Sequence, residues 1–257
     1  MRLTRRSAIH ENTRMGPRST VRWAALGLGL LIGLANAPAD AANISNRWSE
    51  TATNGSGLTQ GDPTTLTWGF VPDGTAIDPQ LEGESAAPSD LIATLDNIRG
   101  DGGGGSDLTQ RPWFSVFQDS YDRLDAVSGL SFTYQPEDPG SSIDWFSPPE
   151  GSNTTPKVPD LRIGGHSIDG QSGSNVLAYN YFPDHGDMVI DTDNSNFYSN
   201  TSNDSRAFRN VVMHETGHGL GLGHFNSSDG AFLMEPFINT SFDGPQFDDI
   251  LGLQRSY

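Results

Sequence analysis

His214-Glu215-Thr216-Gly217-His218-Gly219-Leu220-Gly221-Leu222-Gly223-His224 is the stretch that decides how this chain is read. Its fixed positions spell HExxHxxGxxH. On a helix, residues four apart stand one above the other, so His214 and His218 present both imidazoles to one ion. Glu215 lies beside them, over the side left open for a reacting molecule. Gly221 lets the chain leave the helix through a backbone conformation that side chains resist, and so swings His224 round as a third ligand. With three protein ligands one position stays free. Structural zinc sites are normally closed by four, so the pattern points to catalysis. Chance would place all five fixed residues with a probability on the order of 10⁻⁵, which disposes of the reading as ordinary polar helix surface.

This pattern resembles the signature of the metzincin metalloproteases. Their second mark is a methionine turn beneath the zinc, and Phe232-Leu233-Met234-Glu235-Pro236-Phe237 is similar to it, in the form found in the matrixin branch. The resemblance makes Met234 the turn methionine and Pro236 a lining residue of the specificity pocket. Phe247-Asp248-Asp249-Ile250-Leu251-Gly252-Leu253-Gln254 resembles the last helix of the family's catalytic domain, and no further module is expected after Tyr257. Upstream, Pro159-Asp160-Leu161-Arg162-Ile163, Asp169-Gly170 and Leu177-Ala178-Tyr179-Asn180-Tyr181-Phe182-Pro183 resemble a family strand, a calcium loop and a second strand. The likeness implies an α+β metzincin catalytic domain: a twisted five-stranded mixed sheet with about three helices, and the catalytic zinc at the end of the second helix. It also implies structural calcium. Asp160, Asp169, Gly170, Asp187, Asp191 and Asn194 are its candidate ligands, since hard oxygen donors suit that ion. The plain alternative is that Asp, Asn and Gly simply make turns.

Three departures from the family pattern matter. Tyr179 and Val189 stand where matrixins carry histidines for a second zinc, so only one zinc is expected. Phe225 follows the third histidine in place of the usual serine. Glu235 replaces an aromatic residue, which would set an acidic group near the pocket rim.

The N-terminus reads as a secretory signal peptide over residues 1–41. Six arginines occur up to Arg22, Trp23–Ala37 is nearly all apolar, and small residues fill Ala35–Ala42, with cleavage after Ala41 or Ala42. An apolar core of about fifteen residues is too short to span a bilayer unaided. Thr4-Arg5-Arg6 hints at twin-arginine export. Six of the 15 basic and two of the 32 acidic residues precede residue 42, which leaves 9 against 30 and a net charge of −21. Such a surface repels nucleic acid and anionic membranes. The chain has no cysteine, so no disulfide holds the secreted domain, and the cysteine that keeps vertebrate matrixins latent is missing.

Residues 42–59 read as an N-terminal extension and 60–257 as the catalytic domain, with 75–110 as an insertion. Within it, Gly100–Asp107 reads as a mobile surface stretch. Residues 65–71, 130–134, 161–164, 177–182 and 188–191 read as short strands. Residues 112–127 place Trp113, Val116, Phe117, Tyr121, Leu124 and Val127 on one helical face, and Arg206–Gly219 form the helix of the zinc site.

Together these readings describe a secreted zinc endopeptidase, extracellular or periplasmic, in which His214, His218 and His224 bind the metal and Glu215 is the general base. A monomer is expected, acting on protein or peptide substrates, with no nucleic-acid partner and no membrane contact after signal removal. The alternatives are a non-proteolytic zinc-binding secreted protein or a cell-wall peptide hydrolase on the same fold.

Overall fold

Leu66, Trp68 and Phe70 alternate with Thr65, Thr67 and Gly69, and this period of two makes a strand whose apolar side chains all enter the core. In the computed structural model, residues 22–26, 43–145, 158–170, 176–225, 227 and 229–257 are described. In chain order the strands are β1 (Arg22–Leu26), β2 (Glu50–Thr51), β3 (Gly55–Ser56), β4 (Thr64–Phe70), β5 (Ala76–Ile77), β6 (Ala87–Pro88), β7 (Leu130–Tyr134), β8 (Leu161–His166), β9 (Val176–Tyr181) and β10 (Met188–Asp191). The helices are α1 (Leu91–Arg99), α2 (Phe114–Asp125), α3 (Ser195–Tyr198), α4 (Ser202–Gly219) and α5 (Phe247–Ser256).

The sheet runs β1-β9-β10-β8-β4-β7. β9, β10, β8, β4 and β7 are the five strands expected from sequence. β4 is parallel to both β7 and β8, β10 is parallel to β8, and β9 alone runs antiparallel to its neighbour β10. Every residue of β8, β9 and β10 is buried, as strands covered on both faces must be.

On one face lies the main core. Trp68 stacks on Tyr121 of α2 at 4.6 Å between ring centroids, Phe70 meets Phe117 edge-on at 4.8 Å, and Phe117 meets Phe208 of α4 at 5.4 Å. Aromatic contacts thus run from the sheet through α2 to the helix of the histidines. On the other face a smaller core joins Val71, Ile77, Ile143, Ile168, Val176, Tyr179, Tyr181 and Val189. Tyr179 and Val189, the two positions where a family histidine was sought, are cross-strand partners inside it.

Several expectations need correction. There are five helices among the described residues rather than about three, and the histidine helix is the fourth, because α1 and the short α3 precede it. A sixth strand, β1, lies parallel to β9 at the sheet edge. It falls within the expected signal segment; the rest of that segment lies outside the described residues. The insertion is not a loose excursion. It carries β5, β6 and α1, whose Leu91 and Leu95 are buried against the main core. Within it, the Arg111 guanidinium holds the carbonyls of Asp101 and Gly105, so the glycine-rich stretch is anchored. Of residues 43–59, Trp48 is fully buried in the main core.

Candidate metal centre

α4 carries the site because its inner face is apolar up to the first histidine. Phe208, Val211, Val212 and Met213 are all fully buried, which fixes the helix's rotation and turns His214, Glu215 and His218 inward. Asn203, Asp204 and Ser205 have φ of 52°, 58° and 57°, so the regular helix begins at Arg206, where the sequence places it. After Gly219 the chain turns sharply: the Gly221 amide donates to the His218 carbonyl and the Leu222 amide to Gly217, at 2.8 and 2.9 Å. Gly221 has φ +94°, and a Cβ there would stand 1.9 Å from the Asn46 carbonyl oxygen. Both conformation and space therefore require glycine.

This turn brings His224 back over the helix. The three Nε2 atoms lie 3.1 Å (His214 to His218), 3.2 Å (His214 to His224) and 3.2 Å (His218 to His224) apart. Nitrogens bound at about 2.0–2.1 Å to one tetrahedral ion sit about 3.3 Å from each other, so the triangle has the size zinc requires. His214 Nδ1 lies 2.6 Å from the Leu233 carbonyl and His218 Nδ1 lies 2.7 Å from the Leu222 carbonyl. Each Nδ1 donates its proton there, leaving Nε2 with a free lone pair for the metal. Burial, followed by the neighbouring imidazoles, holds the His214 and His218 pKa values well below the usual histidine range. Both are therefore neutral at physiological pH, as ligation needs. Glu215 is fully buried, its carboxylate oxygens have no hydrogen-bond partner, and burial pushes its pKa well above the usual carboxylate range.

Met234 lies under the triangle. A Cβ on Gly217 would meet its sulfur at 2.5 Å, so the glycine in the middle of the motif makes room for the methionine turn. That turn is held by Asp249 of α5, which accepts from the amides of Leu233 at 2.8 Å, Met234 at 3.2 Å and Gln246 at 2.8 Å. Pro236 is half-buried just beyond. Glu235 does not sit at a pocket rim: it is 2% exposed and accepts from the amides of Gly230 and Ala231, closing its own loop. Phe225, with its amide on the Met234 carbonyl, stacks on Phe232 at 4.8 Å. Phe182, the residue after β9, places its ring 5.6 Å from that of His218, so β9 ends beside the site.

The oxygen-ligand candidates are not gathered into one cluster. Among the described residues, only the histidine triad brings three ligand atoms within 4.8 Å of one another. Asp160 is buried with its carboxylate occupied by the Ala52 amide and by the amide and hydroxyl of Thr67, so it ties the N-terminal segment to β4. Asp187 is buried in an ion pair with Arg162 at 3.7 Å. Asp191 accepts from the amides of Ile168 and Asp193 and from the Asn194 side chain. Asp169, half-buried, and Asp193 add like charge around Asp191, while Gly170 is exposed in the same loop. Burial, offset in part by the amide bonds, pushes the Asp191 pKa up to about 6.

Three further contributors escaped the sequence reading. Asp249 was legible as half of an aspartate pair but not as the clamp on Met234. Trp48 and Glu84 carry no local pattern at all. The Glu84 carboxylate accepts from the Tyr179 hydroxyl at 3.0 Å and lies 2.8 Å from His166 Nε2.

Two metal-facing histidines on a helix, a third on the turn after it and a methionine wedged below are the architecture of the metzincin class. Residues 159–257 match the matrixin family, and over that segment the chain is similar to a matrixin metzincin. It is similar to matrix metalloproteinase-16 of rat, human and mouse, each 36% identical over 97 residues, which amount to 35% of this chain and 15% of the relative. The chain thus spans a small part of the length of these relatives.

Proposed function

We propose that this protein is a secreted zinc endopeptidase that hydrolyses internal peptide bonds. The observation that carries the reading is the triangle of Nε2 atoms 3.1–3.2 Å apart with the unpartnered Glu215 carboxylate beside it. His214, His218 and His224 would hold zinc. When bound, the ion would lower the pKa of water from 15.7 to about 7 and polarise the substrate carbonyl. The Leu233 and Leu222 carbonyls keep the first two imidazoles in the ligating tautomer. Glu215 takes a proton from the attacking water and returns it to the nitrogen of the departing amine. Met234 and the Asp249 clamp fix the floor on which these groups stand. An extended substrate would add a strand at the outer edge of β9, whose end meets His218 through Phe182. Secretion is supported by the arginine-rich, apolar leader and the acidic, cysteine-free remainder, and no helix among the described residues is long and apolar enough to cross a membrane.

We further place structural calcium at the corner formed by Asp169, Gly170, Asp191 and Asn194, where like charges crowd, with Asp187 a separate buried candidate.

The test is cleavage of casein by the processed protein, with and without a zinc chelator, beside Glu215→Gln. Chelator-sensitive cleavage is expected, falling by about 10²–10⁴-fold in the variant with zinc retained. Near-normal turnover in Glu215→Gln would overturn the assignment.

A further inference from the structure

The alternation Gly219-Leu220-Gly221-Leu222-Gly223 is only partly explained by the turn to His224. Leu220 and Leu222 face the core, while the backbone of all three glycines faces Asn43–Trp48. Asn43 accepts from the Gly223 amide at 2.7 Å, Ser45 donates its amide and its hydroxyl to the Gly221 carbonyl at 2.9 and 3.0 Å, and the Trp48 indole N–H donates to the Gly219 carbonyl at 2.8 Å. Ile44 and Leu222 pair as an antiparallel bridge. The Leu222 carbonyl that orients His218 thus lies between two residues bonded to this segment.

The segment has its own anchors away from the turn. Asn46 donates to the Pro183 carbonyl at 2.7 Å, and Ser49 donates its amide and hydroxyl to Asp184, both at 2.7 Å. Arg47 donates to the Ser256 carbonyl and lies over the Tyr257 ring. The Tyr257 hydroxyl accepts from the Trp48 amide at 3.2 Å and donates to the Leu220 carbonyl at 3.0 Å. A brace must be fixed at both ends, and this one is.

We propose that Asn43–Trp48 is a positioning strap for the third metal ligand, with Trp48 and Ser45 holding the Gly219–Gly223 turn so that His224 is pre-placed before metal arrives. The proposal rests on the zinc reading of the triad. His224 is the one ligand not fixed by a helix, and a ligand on an unbraced turn must be ordered at the cost of affinity. Supporting groups of this kind typically contribute 10–100-fold to metal affinity.

The test uses the processed protein and two variants, Trp48→Phe, which keeps an aromatic ring but removes the indole donor, and Ser45→Pro, which removes the amide donor and the hydroxyl of an exposed residue and leaves the core intact. Zinc affinity is measured by competition with a chromophoric chelator, ligand geometry by the visible spectrum of the cobalt-substituted protein, and folding by circular dichroism. Zinc affinity is expected to fall about 10-fold or more in each folded variant, with an altered cobalt spectrum. Affinity within twofold of the parent and an unchanged spectrum in folded Ser45→Pro would overturn the strap's role while leaving the zinc site standing. A parent that binds no zinc would overturn the site reading, and the strap with it.

Discussion

Asp249 illustrates how a single residue outside the motif holds the turn packed against it. Its carboxylate satisfies three amides, two of them in the methionine turn, in a buried setting that pushes its own pKa up. Asp249→Ala would leave these donors unpaired and is expected to cost about 3 kcal/mol. Urea unfolding with zinc present measures this, and a loss below about 1 kcal/mol would show the clamp to be dispensable. Asp191 makes a prediction about pH. Its folded-state pKa is raised from 3.8 to about 6, so its charge penalises the metal-free fold above about pH 6 and not below 3.8. A cation bound there removes that penalty, and protons compete with it. Calcium should therefore raise the melting temperature at pH 7.5, and the gain should shrink as pH falls through about 6. Scanning calorimetry with and without calcium checks this; equal gains at pH 7.5 and 5 would exclude Asp191 as a ligand. At this scale the triad and Glu215 were legible because helical spacing alone assembles His214 and His218. The partners of Leu233 and Gly219 were not, because Asp249 and Trp48 come from distant points of the chain.

Among the elements, those whose side chains keep one strict period were the readable ones. β4, α2 and the regular part of α4 follow the apolar spacing of 66–70, 113–124 and 208–212. α1 was missed although Leu91 and Leu95 are one helical turn apart, because the Gly- and Pro-rich surroundings outweighed nine residues of pattern. The 75–110 segment instead supplies a cover for the second face of the sheet. Ile77 enters the smaller core, and Glu84 joins Tyr179 and His166. The Glu84 carboxylate also accepts from the amides of Gln80 and Leu81. Glu84→Ala would strand a buried hydroxyl, an imidazole and two amides, and is expected to cost about 3–5 kcal/mol. Chemical denaturation reads it directly. A cost near zero would mean that the segment lies on the sheet without supporting it.

In the molecule as a whole, the sheet edge nearest the metal centre is already paired. β1 runs parallel to β9, from Arg22 opposite Val176 to Leu26 opposite Tyr181, and it lies beside α4 as well. Backbone donors and acceptors of β9 that bond to β1 are not free to bond to an extended substrate, so the two strands compete for one edge. A chain that retains residues 22–26 should therefore cleave an unstructured fluorogenic peptide with a higher KM than a chain beginning at Asn43, while zinc content stays equal because the triad and the residues 43–48 are common to both. The distinguishing feature is where the change falls. Competition for the edge raises KM and leaves kcat near its value in the shorter chain, since saturating substrate displaces β1. A lower kcat at unchanged KM would mean that β1 distorts the candidate metal centre, and identical kinetic constants would mean that β1 leaves the edge whenever substrate arrives.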